Sequence, residues 1–181
     1  MITPVYLTKK FQTISSIFEE FIDQIKHPQT QAIISYALDS LKPHYRSLGL
    51  RLVKLNSNQI EMMIPSKLRN LGADGFMLTG VMVSAGLESY KLLWKRNFFE
   101  NQNVQITFQT MDWHQIRPTK SDVRIRAELP TVSREGVLAE MTKNQKAAHD
   151  IQISFFDQED IMIGQLHVQA DFQVSQLLEW K

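Results

Sequence analysis

No cysteine occurs among the 181 residues, so disulfides, thiolate-held metals and a cysteine nucleophile are excluded together. Any chemistry has to come from carboxylates, histidines, hydroxyls or backbone amides. An excess of one charge is also missing. Twenty Lys and Arg stand against 19 Asp and Glu, a formal net charge of +1, which leaves no electrostatic basis for nucleic acid as a partner. A local basic patch for a phosphate-bearing ligand is not barred by that balance. Long hydrophobic runs are lacking as well. Lys9 and Lys10 are followed by Gln12, Thr13, Ser15, Ser16, Glu19 and Glu20, which break up any signal-peptide core. The most apolar stretch, 75–97, is broken by Glu88, Lys91, Lys95 and Arg96. No membrane insertion is expected, and the expected location is the cytoplasm. With 43% hydrophobic and 22% charged residues, the composition is that of a globular protein long enough for one domain.

The stretch 75–97 reads as a long helix without a polar stripe. Phe76, Leu78, Val81, Met82, Val83, Leu87, Tyr90, Leu92, Leu93 and Trp94 cover nearly every face, which predicts a helix wrapped on most sides. Its neighbours in sequence are strands. Leu50, Leu52 and Leu55 lead through Asn56-Ser57-Asn58 into Ile60, Met62 and Ile64, a β-hairpin closed by Pro65. After the helix, four runs alternate apolar and polar residues with period two. In the first, Val104, Ile106 and Phe108 are out of phase with Met111 and Trp113, which predicts a β-bulge near Gln109-Thr110. The same slip separates Ile161 and Ile163 from Leu166, Val168, Ala170, Phe172 and Val174, with Gly164 between them. Bulges in long strands let a sheet curl. The middle runs are Val123, Ile125, Ala127 and Leu129, then Ile151, Ile153 and Phe155.

The sum is an α+β protein in which a curved antiparallel sheet wraps a long central helix, the hot-dog architecture. Residues 1–43 form an N-terminal helical extension and 44–181 the hot-dog domain. Within the extension, Phe11, Ile14, Phe18, Phe21 and Ile25 line one face of a helix over 8–26, and a second helix spans 29–41. Residues 130–147 read as a crossover carrying a short helix, either a surface connection or a lid over a ligand tunnel.

Chemistry concentrates around Arg69, Asn70, Gly72, Asp74, Gly75 and Phe76. A helix N-terminus offers free N–H groups and a positive dipole end, able to polarise a thioester carbonyl. Asp74 reads either as a helix cap or as a group that directs water. Glu88, the acid inside the apolar helix, is either an exposed glutamate or a general base. Thr79 and Ser84 can orient water or bond back to the preceding turn, and Leu78 and Met82 are candidates for lining an acyl tunnel. Arg124 and Arg126, with Arg117 and Lys120 nearby, form either a solvated face or a grip for the phosphates of coenzyme A. His114, His149 and His167 lack metal-ligand spacing, so no metal site is expected.

These residues resemble a family. From about Ile33 to Val174 the chain resembles the thioesterase-like hot-dog proteins grouped as domain of unknown function DUF4442, akin to the wider acyl-CoA thioesterases. The likeness rests on Leu41-Lys42-Pro43-His44-Tyr45-Arg46, Gly49-Leu50-Arg51, Arg69-Asn70 before a Gly-containing helix start, and the crossover after Leu129. It implies a homodimer or dimer of dimers whose sheets join edge to edge. It also implies an acyl-CoA or acyl-carrier-protein thioester bound at the subunit interface and hydrolysed by water, with coenzyme A as part of the substrate and no other cofactor. The Gly75 and Phe76 amides would bind the carbonyl oxygen, with Asp74 or Glu88 directing water. The pattern is not complete: Met77-Leu78 replaces a Gly-Gly pair, and Ala85 stands where relatives often carry an acid. The alternative is therefore a hot-dog protein that binds acyl ligands without hydrolysing them.

Overall fold

The structure is a computed structural model and describes residues 47–98 and 104–174. The helices expected over 8–26 and 29–41, and the motif at 41–46, lie outside the described residues. Within them the order is β1 (Arg51–Leu55), β2 (Gln59–Ile64), a single 3-10 turn (Leu68–Asn70), α1 (Thr79–Asn97), β3 (Val104–Gln115), β4 (Val123–Glu128), α2 (Thr131–Asn144), β5 (Lys146–Phe156) and β6 (Met162–Val174). The six strands form one antiparallel sheet in the order β1-β2-β4-β5-β6-β3, so β1 and β3 are its edges among the described residues.

Alternation along the strands selects one face for the core. Ile60, Met62, Ile64, Val123, Ile125, Ala127, Ile153, Phe155, Leu166, Val168, Ala170 and Phe172 all point inward and are buried. Both expected bulges are present. The β3–β6 register slips between Phe108 and Thr110. Against β5, Phe155 faces Gly164 and Phe156 faces Met162, leaving Ile163 as the extra residue. A third slip lies in β1 between Leu52 and Lys54. The alternation of β1 is too short to reveal it.

Helix α1 lies on the inner face through Met82, Ala85, Gly86, Ser89, Tyr90, Leu93 and Trp94, a stripe at the three-and-four spacing of one helical side. Each large apolar side chain buried in this way contributes about 1.5–3 kcal/mol. The wrapping on most sides expected of this helix is graded rather than uniform. Gly80, Ser84 and Lys95 are exposed, while Val81, Val83, Leu87 and Leu92 are half-buried and only broaden the stripe. The helix also begins at Thr79 rather than Gly75. Gly75 has φ +78°, outside the helical region, and its N–H donates to Gly72 O at 2.9 Å. Leu78 at ψ 129° is the residue from which the helix departs. At the other end, Lys95 and Arg96 occupy the last turn, where cations favour the negative end of the helix dipole.

Helix and sheet approach closely at Gly86, where a Cβ would sit 2.9 Å from Phe155 Cζ and 3.1 Å from Leu166 Cδ2. Phe155 is held in turn by an edge-on contact with Trp113, ring centres 4.9 Å apart. A side chain here gains at most about 1 kcal/mol of helix propensity, and less for a β-branched one, and loses about 1–3 kcal/mol to overpacking. Gly86→Val is therefore expected to lower the urea midpoint at an unchanged slope. A raised midpoint would mean that Phe155 yields freely.

Candidate functional site

The segment before α1 is anchored from both sides. Asn70 is buried, and its Nδ2 donates to Leu48 O at 2.9 Å and Pro65 O at 2.8 Å. Its own backbone carbonyl accepts Leu78 N–H at 2.9 Å. The Asp122 carboxylate accepts Ser66 N–H at 2.7 Å and Ser66 Oγ–H at 2.8 Å, and Met77 N–H donates to Thr119 O at 2.8 Å. Asn70 thus acts as a structural pin for the start of α1, and no free face of its side chain meets solvent.

Asp74 does not cap the helix. Its carboxylate accepts Phe76 N–H at 3.1 Å, a local turn bond two residues long. With Gly75 N–H given to Gly72 O, both amides expected to hold a carbonyl oxygen already have acceptors. The free amides lie further on. The first intrahelical bonds run from Val81 and Met82 to Leu78 O, so among the described residues the Thr79 and Gly80 N–H groups have no partner, as at any helix start. Both residues are exposed, and nothing lies within 4 Å of where a Cβ on Gly80 would sit.

Beside this turn runs the edge strand. Thr79 Oγ1 donates to Gln115 Oε1 at 3.2 Å, and Lys91 Nζ lies 5.3 Å from the centre of the Phe108 ring. Thr79, Val83, Leu87 and Lys91 are four apart and form one row along α1, and the two ends of that row meet β3 at Gln115 and at Phe108. Facing it in the inward phase of β3 are Phe108, Met111, Trp113 and Gln115. Met111 is 50% exposed and Leu78, at the mouth, 43%, so the strip is apolar and open.

The remaining expected residues fall elsewhere. Glu88 is bonded to Lys91 at 2.8 Å and lies about 12 Å along the axis from Gly80 at 1.5 Å per residue. Met82 is sealed in the core at 2% exposure and lines no open channel. Arg69 packs its guanidinium against Gly49. Arg124 and Arg126 take the outward phase of β4, on the sheet face away from α1. There they pair with Glu61 at 3.2 and 3.7 Å and with Asp160 at 3.4 and 3.5 Å. Their positive charge is neutralised by acids of the same face, and the sheet separates them from Gly80. Sequence reasoning missed Gly80, Met111 and Gln115. A signal existed for Gln115, a polar residue in phase with Met111 and Trp113. A groove of about 550 Å³ on the outer face is lined by Gln105, Thr107, Gln109, Asn144 and Asp171, among others, and offers polar groups rather than an apolar bed.

No protein-family model and no curated protein matches the chain. Solved structures do. A protein of unknown function from Pseudomonas aeruginosa, a probable thioesterase, shares the fold with a TM-score of 0.70 at 16% identity, over 78% of this chain and 93% of its own. A thioesterase from Haemophilus influenzae aligns with a TM-score of 0.60 at 18% identity, over 80% of this chain and 90% of its own. For a protein of unknown function from Chlorobaculum tepidum the values are 0.68 and 11%, over 81% and 96%. The α+β fold of this chain is thus that of hot-dog thioesterase structures. Among the described residues no helix is long and apolar enough to cross a membrane.

A second polar cluster is buried between α1 and β5. Tyr90 Oη and His149 Nδ1 are 3.2 Å apart. The Trp94 ring meets Tyr90 edge-on with centres 6.4 Å apart, and its buried Nε1 has no hydrogen-bond partner among the described residues. Burial pushes the Tyr90 hydroxyl far above its usual range and lowers the His149 imidazole below 6.5, with Asp150 opposing part of that shift. The fold therefore favours neutral His149. As pH falls below 6.5 the unfolded chain takes up this proton before the folded one. His149 should contribute stability above that pH and lose it as pH descends toward its folded value. Urea titrations from pH 7.5 to 5 should fall more steeply for the wild type than for His149→Gln; parallel curves would show that His149 is not responsible.

Proposed function

We propose that the protein binds an acyl thioester, carried by coenzyme A or an acyl carrier protein, and hydrolyses it. The observation that carries this reading is the pair of free, exposed N–H groups at Thr79 and Gly80 beside the open apolar strip between α1 and β3. The carbonyl oxygen sits on the two amides, where the positive end of the helix dipole favours the charge that develops as water adds. The acyl chain lies along Val83, Leu87, Phe108 and Met111. The edge of β3 supports completion by a second copy: among the described residues its outer backbone groups lack a strand partner, the usual template for pairing between chains. This dimer and the finer family membership belong to the same proposal.

In the reaction a water oxygen bonds to the carbonyl carbon while a carboxylate accepts its proton. The C–S bond then breaks, and the thiolate takes that proton as it leaves, giving a carboxylic acid and a thiol. Asp74 is the carboxylate nearer to the amides in sequence, whereas Glu88 is about 12 Å away along the helix and held by Lys91. That same observation favours the second reading, an acyl-binding protein without turnover. Neither acid is free beside the amides, because Asp74 is also engaged in its turn.

A panel of acyl-CoA substrates from short to long chains, followed by colorimetric thiol release, decides between them, and a chain with no cysteine adds no background. Asp74→Asn is expected to lower kcat by a factor of ~100, as loss of a general base typically does, with Glu88→Gln close to wild type. A loss confined to Glu88→Gln would reassign the base, and saturable binding without turnover would establish the second reading. Gly80→Leu fills the open space over the amides. It is expected to cut kcat/KM by ~100-fold, the scale of a misplaced reacting group, with thermal stability retained. Unchanged activity would remove the carbonyl from this turn.

A further inference from the structure

We propose, resting on the thioester reading above, that Lys120 is the specificity residue that receives a phosphate of the substrate's carrier. The Lys120 ammonium lies 4.5 Å from the centre of the Phe76 ring and 3.9 Å from where a Cβ on Gly75 would sit. A cation over an aromatic face is held in place while its outer hydrogens stay available. The backbone beneath it is fixed too, because Met77 N–H donates to the carbonyl of the adjacent Thr119.

Lys120 is exposed and has no carboxylate partner among the described residues. The acids of the neighbouring loops are used elsewhere: Asp74 by Phe76 N–H, Asp122 by Ser66 and Asp157 by Arg117. The contrast with Arg124 and Arg126 is direct, since those cations are neutralised by Glu61 and Asp160 on the far face. Position supports the role. Phe76 and Gly80 are four residues apart and their Cα atoms cannot be separated by more than about 14 Å. A thioester at Gly80 therefore places the far end of a pantetheine arm within range of Lys120. Gly75, lacking a side chain, leaves the approach to the ammonium open.

The phosphate on pantetheine is common to coenzyme A and to a carrier protein's prosthetic group, and three substrates with one acyl group separate the sources: acyl-CoA, acyl-phosphopantetheine and acyl-pantetheine. At low ionic strength Lys120→Met is expected to raise KM about three- to tenfold for the phosphorylated substrates, the range of an exposed charge-assisted contact. It should leave kcat and the acyl-pantetheine KM unchanged. Lys120→Arg should restore most of the loss, and added salt should raise the wild-type KM toward that of the variant. An effect on acyl-CoA alone assigns a phosphate peculiar to that carrier; an effect on both assigns the shared one. Equal shifts on all three substrates, or none, overturn the proposal. Absence of wild-type turnover on every substrate counts against the hydrolase reading instead. Calorimetric binding of coenzyme A to wild type and Lys120→Met then decides this point, with equal affinities overturning it.

Discussion

Helix α1 can reach the floor of the sheet because one residue on its buried stripe has no side chain. At Gly86 the helix backbone meets Phe155 and Leu166 at distances a Cβ could not tolerate, and this contact sets the height of the helix over β5 and β6. The flanking residues of the stripe then fall where large side chains fit. Met82 and Ala85 lie toward one end, and Tyr90, Leu93 and Trp94 toward the other. A helix packed this closely becomes a rigid arm, and its first turn is a defined place rather than the frayed end of a surface helix.

The proposed site depends on that rigidity. Two backbone amides are useful for holding a developing negative charge only when they do not reorganise as the charge appears. Here the start of α1 is fixed by three separate ties: the close packing at Gly86, the Asn70 pin through Leu48, Pro65 and Leu78, and the backbone bond from Met77 to Thr119. Thr79 adds a side-chain link to Gln115 at the end of the edge strand. Apolar residues of β3 border the same turn, so polar recognition and an apolar bed meet at one edge of the sheet. The two faces of the sheet carry different tasks. The inner face builds the core, and the outer face binds its arginines to its own acids.

Much of the fold was legible because strands and helices advertise themselves by period. The phase slips at Gln109-Thr110 and at Gly164 were visible as changes of parity, since a bulge moves every later side chain to the other face. The early start assigned to the helix failed for a local reason. Asp74, Gly75 and Phe76 fit a helix entry by composition, but a positive φ at Gly75 and the turn bond to Asp74 use that segment up before the helix begins. The graded burial of α1 was not legible, because half-buried valines and leucines read the same as fully buried ones.

The sequence by itself determined the chemical inventory, the class of fold, the bulged strands and the helix that lies across them, because these follow from residue type and from periods of two and 3.6. Only the tertiary structure decided which groups are free. Arg124 and Arg126 are spent on Glu61 and Asp160, Glu88 on Lys91, and the Gly75 and Phe76 amides on their own loop. Among the described residues the Thr79 and Gly80 amides and the Lys120 ammonium are left open. Pairing is a matter of distances between residues far apart in the chain, and no local pattern records it.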